Sequence, residues 1–467
     1  MAGCKQGYNK IMISQTRANP YHADFGDDVA LAPFAGRQDA FGRLYQQFND
    51  PARRRALVFV GRRRIGKTAL LHACDHAFSE TFVGALVALR AAPPASETEL
   101  VLSMAQAATA ALIERDFTLS RLSDMPPPDD DPRGWFAETF LPQVLAAIRA
   151  YRQLTFMLDD VDRLAHSART GAVGEDIFTY LHDLLSGFPQ LGYLLTIDSE
   201  FETDLPALAP LVQIGDEHRL RNLSADEVRW LLQEPVRGRY TVPDQVCSAV
   251  YRATGGAPAL VQQFGFQLFQ RWQGAPELNV VTLEDIKALT PAVFKYAEND
   301  HRYLWSQLTF NERLVLTAIS SLQYDDPLNP VEPDTIASWL IETDYPLDST
   351  SINAALRSLE YREAIALAGG GLALKAGLLQ SWLLDNARLA RQPNAPRPPL
   401  AFTVEDDLPP RRPPLGPMLA IGTVLGIILA LIILAVINSQ SVEEILEVPA
   451  VQPTVTLVAE ELPEGAP

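Results

Sequence analysis

The sequence predicts an α/β protein, a three-layer parallel sheet with helices on both faces, followed by smaller helical domains and one C-terminal transmembrane helix. Residues 56–71 pass from an apolar run through a glycine-bounded loop into a helical pattern. Apolar strand-like runs then alternate with helical patterns as far as residue 222, which is typical of parallel sheets. Residues 415–437 contain 23 consecutive positions without a charge, enough to cross a bilayer as a helix.

The composition is that of a globular chain with an acidic balance. The 467 residues should divide into roughly two to four domains. They carry 39 Lys and Arg against 57 Asp and Glu, a net charge of −18, which repels phosphate backbones and makes nucleic acid an unexpected partner. Cys4, Cys74 and Cys247 are too few and too scattered for a disulfide framework or a zinc site.

The loop after the first strand has the pattern G-x-x-x-x-G-K-T, which predicts a phosphate-binding loop. A polyphosphate needs converging backbone N–H donors, a cation for its outer oxygens and a hydroxyl for Mg²⁺. Gly61 and Gly66 leave room for the donors, Lys67 supplies a catalytic cation and Thr68 supplies the hydroxyl. The residues predicted to bind the nucleotide, ATP with Mg²⁺, are Gly61, Arg64, Ile65, Gly66, Lys67, Thr68 and Ala69.

Two carboxylates are expected to complete this site. The apolar run of residues 154–158 ends abruptly in Asp159 and Asp160. A carboxylate at the end of a strand beside the phosphate loop can hold Mg²⁺ together with Thr68, and a second can orient the attacking water. We therefore assign Asp159 to the metal and Asp160 to catalysis. Asp162 is expected to cap the following helix.

The same alternation continues through a nucleotide-binding domain predicted to span residues 19–222. Strands are predicted at residues 82–89, 154–158 and 193–197 and near Val212, and helices at residues 97–114, 134–151 and 177–186. In the helix of residues 134–151, apolar side chains recur every four positions and define a buried face. These side chains are Phe136, Phe140, Val144 and Ile148.

Two smaller domains are predicted to follow, a helical lid at residues 223–298 and a winged-helix-like domain at residues 299–391. The second begins with a capping-box pattern, Thr309-x-x-Glu312. Helices near residues 334–342 and 349–359 and two short strands around a glycine turn complete it. Residues 300–390 hold six Lys or Arg against twelve Asp or Glu. This balance favours docking of an unknown protein partner over DNA readout.

The flanking segments predict a tethered molecule. Residues 1–18 are expected to be flexible, and the proline-rich residues 392–414 to form a linker. Arg411 and Arg412 precede the predicted span of residues 415–437, and no Lys or Arg follows it. The bulk of the chain is therefore expected in the cytoplasm, with a disordered tail at residues 438–467 outside the cell membrane.

Within the span, small residues fall on one helix face. Gly422, Gly426 and Ala430 are spaced four apart, which lets two helix backbones approach closely. Such residues are also common in membrane helices that do not pair, so a homo-oligomer and a monomer both stay open.

With these residues placed, the chain resembles the STAND group and the archaeal-type, origin-recognition-like members of the AAA+-related P-loop ATPases. Five segments carry the resemblance: residues 34–37 (FAGR), 61–68 (GRRRIGKT), 158–162 (LDDVD), 220–236 (LRNLSADEVRWLLQEPV) and 254–263 (TGGAPALVQQ). The family's F-x-G-R box helps to cover the adenine. Its leucine- and glutamate-rich segment leads into a helical lid.

The resemblance also implies roles for single residues. Pro258 begins a lid helix whose start faces the nucleotide. Thr196 or Ser199, at the end of a predicted strand, is a polar sensor of the γ-phosphate. Arg219 and Arg221 are candidates for a sensor or finger arginine. An ordinary loop-to-helix turn and solvated surface arginines would give the same sequence features.

Many relatives have glutamate where this chain has Asp160. The aspartate side chain is shorter by about 1.5 Å, so the resemblance implies slow ATP hydrolysis if carboxylate and water are out of register. The resemblance covers residues 19–390.

Three functions remain open from the sequence. The first is a membrane-anchored, slowly hydrolysing ATPase switch. The second is a nucleic-acid-handling ATPase of the replication-initiator type, with the winged helix as DNA reader. The third is a scaffold that binds nucleotide without hydrolysing it and oligomerises through Gly422 and Gly426.

Overall fold

The structure, a computed structural model, describes residues 19–21, 33–49, 55–91, 93–117, 130–148, 153–212, 216–277, 279–324 and 329–387. The predicted flexible start (residues 1–18), linker (392–414), membrane span (415–437) and outer tail (438–467) lie outside these residues. Within the described ranges, no helix combines the length and the hydrophobicity needed to cross a membrane.

The centre of the molecule is a five-stranded parallel sheet with the strand order β2-β3-β4-β1-β5. Its strands are β1 (Ala56–Gly61), β2 (Phe82–Ala88), β3 (Gln153–Asp159), β4 (Leu191–Asp198) and β5 (Glu217–Arg219). The register aligns their carboxyl ends, since Gly61 lies opposite Asp198 and Ala88 opposite Asp159. The predicted phosphate loop and acidic pair therefore lie at one edge of the sheet.

Helices cover both faces of this sheet. They are α1 (Gln38–Asn49), α2 (Lys67–Ala77), α3 (Glu97–Ile113), α4 (Pro132–Gly134), α5 (Leu141–Ala147), α6 (Asp162–Arg169) and α7 (Ile177–Gly187). Along β1, Val58 and Val60 pack into a core with α3 and α5–α7, whereas Leu57 and Phe59 pack into a second core with α1 and α2. Successive strand residues point to opposite faces, so the alternation confirms the predicted three layers.

Two predicted elements differ in detail. The helix expected at residues 134–151 comprises α4, a π-helical turn (Trp135–Phe140) and α5. Phe136, Phe140, Val144 and Ile148 are nevertheless all buried, as predicted. The strand expected near Val212 is wrong, because Val212 closes a turn by donating to the Leu208 carbonyl. The strand that pairs with this side of β1 is instead β5, a few residues further along the chain.

A group of helices follows the sheet, and we keep for it the name of the predicted lid. It contains α8 (Ala225–Gln233), a 3-10 turn (Glu234–Val236), α9 (Asp244–Thr254), α10 (Pro258–Gly274) and the long α11 (Leu283–Gln307). Ser224 and Glu227 form a reciprocal capping box at the start of α8. The predicted domain boundary at residue 298 falls inside α11, which is continuous and therefore joins the lid to the next domain.

The last described segment has four helices and a hairpin. Its first three helices and the hairpin come in the order that the sequence predicts, and the fourth helix was not predicted. The elements are α12 (Phe310–Leu322), α13 (Pro333–Glu342), α14 (Ser349–Tyr361), β6 (Ile365–Ala368), β7 (Gly371–Leu374) and α15 (Gly377–Asn386). The predicted capping box is present, with Thr309 and Glu312 bonded in both directions. Strands β6 and β7 are antiparallel.

A glycine pair forms the turn from α9 into α10. Gly255 and Gly256 have φ of 61° and 74°, in the left-handed region that glycine adopts without penalty. The Gly256 carbonyl accepts a hydrogen bond from the Leu223 N–H at 2.8 Å. A Cβ at Gly256 would overlap the Leu223 carbonyl oxygen. The turn thus brings the lid backbone against the segment that leaves the sheet.

We expect Gly256→Ala to lower the free energy of unfolding by about 2 kcal/mol or more, because the alanine combines a left-handed backbone with a backbone clash. The control is Gly42→Ala on the exposed side of α1, where a Cβ meets nothing within 4 Å. This change should leave the free energy of unfolding unchanged or raise it by about 0.5–1 kcal/mol. Urea unfolding midpoints measure both, and equal effects would contradict the proposed close approach.

Candidate functional site

The loop between β1 and α2 has the backbone of an anion site. Gly66 has φ of 95° and precedes α2 without a side-chain cap, so the first-turn N–H groups of Lys67, Thr68 and Ala69 have no intrahelical acceptor. A Cβ at Gly66 would meet nothing within 4 Å, which leaves open space above these donors. Such a helix start binds phosphate through its N–H groups and its dipole.

The inner side of the loop is packed. Ile65 is buried, and a Cβ at Gly61 would lie 2.6 Å from the Ile65 side chain. The Arg64 side chain turns away and pairs with Asp300 of α11 at 2.9 Å. The side chains of Ile65 and Arg64 therefore fix the loop, and any contact of these residues with a phosphate would be made by their backbone.

Lys67 is buried and held in place by oxygen atoms. Its Nζ donates to the Gly61 carbonyl at 2.9 Å and to Asp198 Oδ2 at 3.2 Å, and lies 3.7 Å from Asp160 Oδ1. The sequence reasoning missed Asp198. Only the pairing of β4 with β1 brings Asp198 to Lys67, so no local pattern indicated it.

The two predicted metal ligands lie side by side. Thr68 Oγ1 donates to Asp159 Oδ2 at 2.5 Å, and Thr196 Oγ1 donates to Asp159 Oδ1 at 2.6 Å. Burial raises the pKa of Asp159, although both hydrogen bonds lower it. A buried carboxylate next to a hydroxyl is an oxygen donor set that fits Mg²⁺, and the cation would offset the cost of the buried charge.

Asp160 is bound by two cations. Arg90, which follows β2, donates to Asp160 Oδ2 at 2.5 Å, and Lys67 faces the other oxygen. Burial works against its ionisation, but the bond from Arg90 and the charge of Lys67 hold the pKa of Asp160 below its usual range. The carboxylate predicted to orient water is thus ionised and already paired with Arg90 and Lys67. Arg90 was not predicted, since only the β2–β3 pairing brings it here.

Thr196 links the two acids rather than pointing into the loop. Besides its bond to Asp159, its hydroxyl accepts from the Asp160 N–H at 2.8 Å. Ser199, the other predicted sensor, lines the cavity beside the loop. The expectation that Asp162 caps α6 is wrong: Val161 occupies the cap position, and Asp162 instead accepts from the Asp198 N–H at 3.3 Å.

The two candidate finger arginines have different surroundings. Arg219 is bonded to Glu202, and its guanidinium lies 3.7 Å from the ring centre of Tyr361. Arg221 is exposed and lines the same cavity as Ser199. Arg37 of the FAGR box donates to the Ile65 carbonyl at 2.8 Å and to the Arg221 carbonyl. The box therefore ties the loop to the segment after β5, and its contact with adenine stays a prediction.

Asn222 joins the loop to the lid and to the winged-helix-like domain. Arg62 donates to its side-chain oxygen at 2.7 Å, and its side-chain nitrogen donates to the Gly255 carbonyl at 3.0 Å. Its backbone N–H donates to Glu363 at 2.9 Å. Pro258 is the first residue of α10 and follows this turn directly. One asparagine therefore contacts all three regions.

The sequence matches no protein-family model and no curated protein. Solved structures do match it. The ORC2 protein of Aeropyrum pernix, solved as ADPNP–ADP complexes, has a TM-score of 0.51 and 12% identity over 77% of this chain and 97% of that one. The described chain has a P-loop α/β fold, which it shares with this ORC2 protein. The Walker-type ATPase paby2304 of Pyrococcus abyssi has a TM-score of 0.49 and 16% identity over 75% and 96%.

We expect Thr196→Val to destabilise the protein by about 1–3 kcal/mol, because it leaves the Asp160 N–H and an Asp159 oxygen buried without this partner. Thr196 is fully buried, and so is Thr155 on β3, whose hydroxyl has no hydrogen-bond partner within the described part of the chain. Thr155→Val is therefore a matched control that should be neutral or stabilising. Equal loss in both variants, measured by urea unfolding, would argue against the bridge.

Proposed function

We propose that the chain is a membrane-anchored ATP-binding switch that hydrolyses ATP slowly. The observation that carries this proposal is the meeting of a buried Lys67, the uncapped start of α2 and the Thr68–Asp159 pair at one edge of the sheet. A triphosphate with Mg²⁺ needs all three features. The fold likeness to an ATPase core is consistent with this assignment.

Binding would redistribute the charges around Lys67. The ammonium group is now neutralised by Asp198 and Asp160. Terminal phosphate oxygens would accept from the helix N–H groups and from Lys67 and would compete with both carboxylates. Mg²⁺ held by Thr68 and Asp159 would supply the charge that lets phosphates and carboxylates share this space.

Hydrolysis would depend on Asp160. This carboxylate is the group that orients the attacking water in our assignment, and it is held by Arg90. A carboxylate bonded to a guanidinium is a weaker acceptor for water, and the short aspartate side chain adds to the effect. Slow turnover follows, which suits a switch because the ATP-bound state then persists.

The change of state would be transmitted through Asn222. Arg62 belongs to the phosphate loop, Gly255 to the lid and Glu363 to the winged-helix-like domain, and all three bond to Asn222. A nucleotide shifts a conformational equilibrium only if it contacts the two states differently. Movement of the loop on ATP binding would supply that difference.

The anchor and the partners are part of the proposal. The uncharged residues 415–437, with Arg411 and Arg412 before them, support a single span and place the bulk of the chain in the cytoplasm. A protein partner and a homo-oligomer through Gly422 and Gly426 complete it. STAND-type signal transduction is the pathway class that the sequence resemblance favours.

A nucleic-acid-handling ATPase of the replication-initiator type is the second candidate. It is favoured by the fold shared with an ORC2 protein and by the helices and hairpin of residues 310–374. Against it, α14 directs Arg357 and Tyr361 into the cavity beside the phosphate loop, and acidic residues outnumber basic ones in this domain. A salt-dependent electrophoretic shift of duplex DNA by the full chain would support this candidate. We expect no such shift.

We expect Lys67→Ala to weaken ATP binding by about a hundredfold or more, roughly 2.7 kcal/mol, because the terminal phosphates lose their buried cation. Lys287→Ala is the control, since this lysine is exposed on α11 and pairs only with Glu284 in the described part. Calorimetric titration with Mg-ATP measures both. Unchanged affinity in Lys67→Ala would remove the basis of the nucleotide site.

We expect Asp160→Asn to abolish ATP turnover with little loss of ATP affinity, and Arg90→Ala to raise turnover several-fold. The reason is that Arg90 restrains the carboxylate that must orient water. The double variant should behave like Asp160→Asn. Phosphate release under saturating ATP measures all three, and turnover that survives Asp160→Asn would contradict the assignment of the catalytic residue.

A further inference from the structure

Two tyrosines fasten α11 and α14 to the segment that follows β4. This segment is a run of 3-10 turns (Ser199–Leu208). Tyr303 of α11 donates its hydroxyl to Glu200, and Tyr361 of α14 donates its hydroxyl to Glu202. We call these two hydrogen bonds the tyrosine clasp. They join two helices from distant parts of the chain to the end of the central strand.

The first bond of the clasp belongs to one face of α11. Tyr296, Asp300 and Tyr303 recur at intervals of four and three residues, so they lie on the same side of the helix. Asp300 pairs with Arg64 of the phosphate loop at 2.9 Å, and the Arg64 guanidinium lies 4.7 Å from the ring centre of Tyr296. The bond of Tyr303 therefore continues a line of contacts between α11 and the domain of the parallel sheet.

The second bond of the clasp includes a cation. The Arg219 guanidinium lies 3.7 Å from the ring centre of Tyr361, and Arg219 is itself bonded to Glu202. Because Tyr361 also donates to Glu202, each of these three side chains contacts the other two. Arg219 is one of the two candidate finger arginines. In this arrangement its guanidinium is occupied by α14 and is not available to a nucleotide.

Asp198 links the clasp to Lys67. One carboxylate oxygen of Asp198 accepts from Lys67 at 3.2 Å, and the other accepts from the Glu200 N–H at 3.2 Å. The group that neutralises the lysine therefore also fixes the backbone of the residue to which Tyr303 bonds. A terminal phosphate that takes Lys67 away from Asp198 would release this carboxylate, and the Glu200 backbone would lose its restraint.

The clasp can open at small cost. Tyr361 is 52% exposed, Glu200 is exposed and Tyr303 is half-buried. A hydrogen bond broken in the interior leaves a polar group without a partner, whereas water replaces the lost partner at an exposed position. The clasp therefore favours one arrangement of the helices without making it permanent, which is the property that a reversible contact requires.

We propose that the tyrosine clasp stabilises the state in which Asp198 neutralises Lys67, and that binding of Mg-ATP opens it. The inference rests on the proposed function and adds the contacts that hold the switch in its nucleotide-free state. Because ATP competes with the clasp, its apparent affinity is reduced by the fraction of molecules in which the clasp is closed. Opening also releases Arg219 from Tyr361.

The test compares Tyr303→Phe/Tyr361→Phe with the wild-type full chain by calorimetric titration of Mg-ATP. The double variant removes both hydroxyl donors and keeps both rings, including the one beside Arg219. The control is Tyr324→Phe, because Tyr324 is 67% exposed and takes no part in the clasp. The double variant should bind Mg-ATP about five- to tenfold more tightly, and the control should bind it as the wild type does. Equal or weaker binding by the double variant would overturn the proposal.

Hydrogen exchange followed by mass spectrometry separates the clasp from the nucleotide site. Without nucleotide, the amides of residues 199–208 should exchange several-fold faster in the double variant than in the wild type or Tyr324→Phe. Saturating Mg-ATP should speed exchange of the same segment in the wild type and not in Lys67→Ala. If the wild type binds no Mg-ATP, the proposed function fails. If it binds Mg-ATP and exchange of this segment is unchanged, the nucleotide site stands and the clasp proposal fails.

Discussion

The site depends on how the buried ammonium group of Lys67 is neutralised. A cation removed from water must find charged or dipolar partners, and here the sheet provides them. Because β4 lies between β1 and β3, Asp198 and Asp160 reach Lys67 from neighbouring strand ends. Thr196 on the central strand joins the second carboxylate to Asp159. The loop is therefore shaped and charge-balanced by the protein itself, and a nucleotide has to exchange partners with side chains already in place.

The same constraint extends outward through the segment that leaves the sheet. Arg37 and Arg62 bond to Arg221 and Asn222 of this segment, and the lid turn bonds to the next residues. Hydrogen bonds of this kind resist independent movement, because breaking one leaves a polar group without its partner. A displacement of the phosphate loop by ligand would therefore be carried to the lid and to Glu363 with few intervening side chains. Such a short route would let a phosphate site and a distant domain share one conformational equilibrium.

Local patterns were sufficient to predict the loop, the acidic pair, the first four strands, and three of the four helices and the hairpin of the last segment. Each of these leaves a signal within about ten residues, such as alternating burial or a capping box. The site partners Asp198 and Arg90 leave no such signal, because strand pairing alone decides which loop ends meet. The fifth strand was misplaced for a related reason. Strand β5 has only three residues, so it is defined by its pairing with β1 and not by its own composition. The π-helical turn beginning at Trp135 was also not predicted, because its apolar side chains have the spacing of an ordinary helix.

The backbone at Asp160 gives a physical reason for an aspartate at this position. Its φ is 59°, in the left-handed region where Asp and Asn are several-fold enriched among non-glycine residues. This conformation places the N–H against Thr196 and the carboxylate between Lys67 and Arg90. A longer side chain would have to fit the same narrow space between two cations. The geometry that restrains the carboxylate therefore also limits which acid can occupy the position, so that the short aspartate side chain and the preformed charge balance around Lys67 have a common structural origin.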